Sequence, residues 1–108
     1  MRRVDEALRA VIGDAIVADV HDPRIGFVTV TGVTASPDLR HARVHVSVLG
    51  TEAERETTLA GLASAHGILQ RAIAQELNLK HTPTLAFEWD GTTEQALRIS
   101  ELLEEQGA

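Results

Sequence analysis

The chain has 108 residues, 44% hydrophobic and 24% charged, which are the proportions of one globular domain and leave out disordered, collagenous and membrane-spanning classes. Its formal net charge of −6, from 10 Lys and Arg against 16 Asp and Glu, argues on its own against a nucleic-acid partner. That excess is unevenly placed: residues 1–23 carry −2, residues 24–81 carry +1 with four of the five His, and residues 82–108 carry −5.

Val4, Leu8, Val11, Ile12 and Ala15 recur at helical spacing, so residues 3–19 are expected to form an amphipathic helix. It should stop before Asp22-Pro23, because proline disfavours helical geometry in the residue before it. Phe27 to Thr34 is rich in β-branched residues and predicts a strand, and Ser36-Pro37-Asp38 supplies a turn. Ala42, Val44, Val46 and Val48 then alternate with Arg43, His45 and Ser47, the pattern of a half-buried strand with one polar, cationic face. Gly50 closes that strand, and Thr51 with Glu54 forms a capping box for the next helix.

Leu59, Leu62 and Ala63, then Ile68, Leu69, Ala72, Ile73 and Leu77, form two helical stripes separated by Ser64-Ala65-His66-Gly67. Gly67 costs about 1 kcal/mol relative to Ala inside a helix, which predicts a kink there rather than one straight helix. Leu85, Phe87 and Trp89 alternate with Ala86 and Glu88 as a third strand after Thr82-Pro83. A last helix is expected over about residues 92–105, with Thr92 and Gln95 at its start and Leu97, Ile99, Leu102 and Leu103 on its stripe.

The order αββααβ with an added helix predicts an α+β fold over a core of about residues 3–90, with all of 1–108 in one domain. The short turn makes strands one and two antiparallel, and the long helical crossover makes strands two and three parallel. Helices then cover one face of a three-stranded mixed sheet. The other face, with Thr29, Thr31, Arg43, His45 and Ser47, stays open to solvent.

Chemistry-bearing residues are few. There is no Cys, which excludes disulfides and thiol chemistry and fits a cytosolic protein, and no apolar run approaches the roughly 18 residues of a membrane span. His41 and His45 share a strand face but lie roughly 13 Å apart at about 3.3 Å per residue, too far for one metal ion. No HExxH, phosphate-binding Gly-rich loop or Gly-x-Ser-x-Gly elbow occurs, so no cofactor, metal or catalytic group is expected.

The cations are the better lead. Arg40, His41, Arg43 and His45 lie on or beside one strand, and His66, Arg71, Lys80 and His81 lie on the helix pair and the loop after it. Singly each is ordinary solvated charge. Together they stand out because no acid occurs between Arg40 and Leu49 or between Glu56 and Gln75, and phosphate contacts need local rather than net positive potential. The rival reading is a protein-interaction module using the acidic C-terminal helix.

Val20-His21-Asp22-Pro23-Arg24-Ile25-Gly26 followed by Val28-Thr29-Val30-Thr31, and Ser36-Pro37-Asp38-Leu39-Arg40-His41-Ala42 running into Val44-His45-Val46-Ser47-Val48-Leu49-Gly50, resemble the bacterial ribosome-binding factor A family. His81-Thr82-Pro83 before Leu85-Ala86-Phe87 is similar to that family's third strand. The resemblance implies a type II KH-like domain in which a helix-kink-helix around Ala-x-Gly, here Ala65-His66-Gly67, replaces the usual Gly-x-x-Gly loop. It also implies a non-catalytic assembly factor that binds the 30S subunit and its 16S rRNA, promotes processing of the precursor 5′ end, aids growth in the cold, and is released by a ribosome-dependent GTPase; the chain is expected to act as a monomer. On that reading Arg40, Arg43, Arg71 and Lys80 contact phosphates, the His side chains add RNA contacts, and Gly67 lets the RNA backbone approach closely.

Overall fold

The protein is described here by a computed structural model covering residues 2–91; the helix expected over 92–105 lies outside the described residues. Helix α1 spans Arg3–Ala18 and buries Leu8, Ile12, Ala15 and Ile16, the stripe expected from the spacing. No side chain caps its start. Instead the Asp5 carboxylate, 6% exposed, turns away from the helix and accepts the Ala35 backbone N–H at 3.1 Å. Arg2 lies 3.5 Å from that carboxylate and also donates to the Ala35 carbonyl, so the first turn of α1 clamps the end of the first strand.

Strand β1 (Phe27–Ala35) pairs antiparallel with β2 (His41–Leu49), and β2 pairs parallel with β3 (Thr84–Trp89), in the order β1-β2-β3. The pairing directions are those expected from loop length. The turn between β1 and β2 is held by side chains: Ser36 Oγ donates to Asp38 Oδ1 at 2.7 Å and accepts the His41 N–H at 3.1 Å. Leu39 takes a positive φ of 59°, an uncommon conformation for a residue with a side chain.

One feature of β1 departs from simple alternation. The register steps from Val30 opposite Val46 to Gly32 opposite His45, leaving Thr31 as an extra, bulged residue. Val28 and Val30 face the helices before the bulge, and Val33 and Ala35 do so after it. A bulge shifts the period by one residue, so the buried Val33 and Ala35 stay on the core side only because of it. The Thr31 hydroxyl lies 3.1 Å from both the His45 carbonyl and Asp90 Oδ2.

Helix α2 (Glu52–Ser64) begins with the expected capping box, Thr51 Oγ1 accepting the Glu54 N–H at 3.1 Å and Glu54 Oε1 accepting the Thr51 N–H at 3.3 Å. The interruption before α3 (His66–Glu76) falls on Ala65, at φ −84° and ψ 4°, while His66 and Gly67 belong to the first turn of α3. Ala65 is buried, and its N–H is shared between the Gly61 and Leu62 carbonyls, both at 3.1 Å. The two helices therefore part at a buried alanine, two residues before Gly67. From there α2 leans on β3 and α3 packs on α1.

Leu62, Leu69 and Ile73 join Val44, Val46, Leu85 and the α1 stripe in one core between the helices and the sheet. Trp89, half-buried beside it, carries the Arg55 guanidinium 3.8 Å above its ring. None of the described helices is long and apolar enough to cross a membrane.

Candidate nucleic-acid interface

Two turns far apart in sequence meet at one end of the sheet. Arg40 and His41 come from the start of β2, and Lys80 and His81 from the loop before β3; with Thr82 and Thr84 they line an open cleft of about 490 Å³. Backbone bonds fix the meeting, since the Thr84 N–H donates to the Arg40 carbonyl at 2.8 Å and His41 stands opposite Thr84 in the parallel ladder. The cleft therefore gathers four of the cationic and imidazole side chains expected to bind RNA. One carboxylate moderates the field: Asp38 lies 3.8 Å from Arg40. The Ser36 hydroxyl, then the Arg40 N–H, hold the Asp38 carboxyl below the usual carboxylate range, so it is charged at neutral pH.

Helix α3 is tied to the strand that enters this cleft. His66 Nε2 accepts the Leu85 backbone N–H at 3.0 Å, and Gln70 Nε2 donates to the Pro83 carbonyl at 3.0 Å, so α3 holds both residues that flank Thr84. An imidazole that accepts at Nε2 carries its proton on Nδ1. His66 thus has a structural task at the outer edge of β3, beside any contact with RNA. Gly67 is exposed, and a Cβ there would meet nothing within 4 Å. The fold itself therefore does not require a glycine at this position.

Arg43 and His45 stand on the open face of the sheet, Arg43 between Thr34 and Ala86 and His45 between Gly32 and Glu88. The acid-free run of β2 acquires an acid from its neighbour, because Glu88 Oε2 lies 3.7 Å from His45 Nδ1. His45 Nε2 is also 3.3 Å from Thr34 Oγ1. Arg71 is not part of the group: with Ile68, Gln75 and Asp19, the last at the end of α1, it lines a separate hollow of the helical layer. Among the described residues no three His, Asp or Glu side chains gather as a metal cluster would.

The Asp22-Pro23-Arg24-Ile25-Gly26 turn has an internal role. Asp22 Oδ1 accepts the Arg24 N–H at 2.9 Å, and the guanidinium of Arg24 lies 2.6 Å from Asp22 Oδ2. These bonds, the side-chain one foremost, lower the Asp22 carboxyl to about 2. Helix α2 seats the turn through Thr58, whose hydroxyl accepts the Gly26 N–H at 3.2 Å and donates to the Arg24 carbonyl at 3.4 Å. Gly61 permits the contact, since a Cβ there would lie 2.7 Å from Ile25 Cγ1. Asp5, Thr58 and Gly61 were missed by sequence reasoning, although polar or side-chain-free positions on otherwise apolar helical stripes were a readable signal.

Comparison with known proteins agrees with this architecture. A family model described as ribosome-binding factor A matches residues 1–103. A ribosome-binding factor A of Halothermothrix orenii is 46% identical over 102 residues, covering 94% of this chain and 84% of the relative. The crystal structure of ribosome-binding factor A from Thermus thermophilus superposes with a TM-score of 0.70 at 28% identity, covering 79% of this chain and 90% of that one. A Thermus thermophilus homology model, fitted into the cryo-electron-microscopy map of a 30S complex of that factor, gives 0.67 at 28% identity over 81% and 92% of the two chains. With nearly its whole length matched, its mixed sheet and paired helices shared with solved members, the chain belongs to the ribosome-binding factor A family.

Proposed function

We propose that this protein binds the small ribosomal subunit through 16S rRNA, seating the Arg40, His41, Lys80 and His81 cleft and the first turn of α3 on folded RNA. The observation that carries this reading is the convergence of those four side chains from two separate turns, held by backbone hydrogen bonds. A Thermus thermophilus member fitted into a 30S complex supports the choice of partner. Arg43 extends the contact along the open face, and Gly67 admits the RNA backbone. The reading assigns no covalent chemistry to the protein. By preferring one conformation of immature rRNA, it shifts the population toward that conformation and so promotes late maturation, including processing of the precursor 5′ end. It acts as a cytoplasmic monomer of one domain, supports growth in the cold, and leaves when a ribosome-dependent GTPase turns over.

Co-sedimentation with purified 30S subunits tests the site. The parent chain is expected to pellet with the subunit and the Arg40→Glu, Lys80→Glu double variant to stay in the supernatant while remaining folded. Equal pelleting would place the interface elsewhere.

A further inference from the structure

The open sheet face carries an aromatic side chain that neither the core nor the cleft uses. Phe27 begins β1 directly opposite Leu49 at the end of β2, and the two are 80% and 72% exposed. The next rung toward the cleft is Thr29 opposite Ser47, followed by His45 and then Arg43. From Leu49 to Arg43 the face runs roughly 20 Å at about 3.3 Å per residue. One further step on that face reaches His41, which lines the cleft.

We propose that this face carries a single-stranded RNA segment, with an unpaired base stacked on the Phe27 ring and the backbone running past His45 and Arg43 into the cleft. The inference rests on the RNA-binding reading above and narrows it to unpaired RNA at this face. A ring exposed on a flat sheet can stack on a base only if that base is free of a partner, and sequence-specific and single-strand RNA binders use such rings in this way. Two acids stand by the face: Asp90, which accepts the Thr31 hydroxyl, and Glu88, 3.7 Å from the His45 imidazole. Along the strands the polar Thr29–Ser47 rung follows the Phe27–Leu49 pair at once, so on the sheet face the exposed large apolar side chains are Phe27 and Leu49. The pair is also continuous with the cationic cleft along a single strand.

The test uses the full chain and an oligoadenylate of about ten nucleotides, followed by fluorescence anisotropy at low salt, with the matching duplex as control. Phe27→Ala should weaken oligoadenylate binding roughly 5- to 150-fold, the range of one lost base-aromatic stack. Phe27→Tyr should bind as the parent does. Phe27→Leu, which keeps an apolar side chain but loses the ring, should bind as poorly as Phe27→Ala. Near-parental binding by Phe27→Leu would overturn the proposal in favour of a nonaromatic contact such as a protein would make. Equal affinity for the duplex, or no saturable binding of oligoadenylate by the parent chain, would overturn it as well. If the Phe27 variants are silent while the Arg40→Glu, Lys80→Glu variant loses the 30S subunit, stacking fails and the cleft reading stands. If that double variant still binds the subunit, the cleft reading itself fails.

Discussion

Removing cleft cations one at a time should change the salt dependence of 30S binding by a countable amount. Three permanent cations face the proposed RNA side, Arg40 and Lys80 in the cleft and Arg43 on the sheet, whereas Arg71 lines a separate hollow of the helical layer. Each phosphate neutralised on a single strand contributes about −0.7 to the slope of log K against log salt, so three contacts give a slope of roughly −2. Raising salt from about 50 to 200 mM should then weaken binding by roughly 16-fold. Arg40→Ala should reduce the slope to about −1.4, Arg40→Ala with Lys80→Ala to about −0.7, and Arg71→Ala should leave it unchanged. Arg40 meets Asp38 only at 3.8 Å and both are exposed, so its loss should leave the stability of the fold nearly unchanged and binding can be read without correction. The assay is an equilibrium titration of labelled protein with 30S subunits at several salt concentrations. A flat response in the parent, or a slope that depends on Arg71 and not on Arg40, would refute the reasoning.

Three further outcomes concern the scaffold. Asp5→Ala leaves the Ala35 N–H buried without its acceptor and should cost about 1–3 kcal/mol, read by urea unfolding with the chain's one Trp as reporter; Asp5→Asn, which keeps an acceptor oxygen, should lose less. Gly61→Ala gains about 1 kcal/mol of helix propensity but forces a Cβ to 2.7 Å from Ile25 Cγ1, an overpacking of about 1–3 kcal/mol. Net destabilisation is expected in the same unfolding assay, and an increase in stability would show that the Asp22–Gly26 turn yields freely. Asp22 should titrate near 2 in carboxyl-carbon NMR, and Arg24→Ala should raise that midpoint toward 3.8. Because its folded value is depressed, the Asp22–Arg24 contact stabilises fully above the ordinary carboxylate value and is lost as pH falls from about 3.8 toward 2. An unshifted midpoint in the parent would remove that contact from the account.

Helical stripes such as Leu8, Ile12 and Ala15, the Val alternation of β2, the Thr51–Glu54 capping box and the Asp22-Pro23 stop were legible because each is a local property of the chain, set by the period of the backbone and the chemistry of its ends. Strand directions followed from connection length for the same reason. Cations were legible as a group, and their arrangement was not. Whether Lys80 meets Arg40 depends on the register between β2 and β3, and whether Arg71 joins them depends on how α3 rotates against α1; neither leaves a periodic trace. The same holds for Glu88 arriving beside His45, for His66 holding the Leu85 N–H, and for the Thr31 bulge that keeps Val33 and Ala35 in the core. A sequence shows which side chains are available on each face, but only packing brings residues from distant segments within the few ångströms over which charges and hydrogen bonds act. For this protein the chain alone therefore determined an αββααβ scaffold with one acid-free, cation-bearing strand, and the tertiary structure decided which of its cations share a cleft.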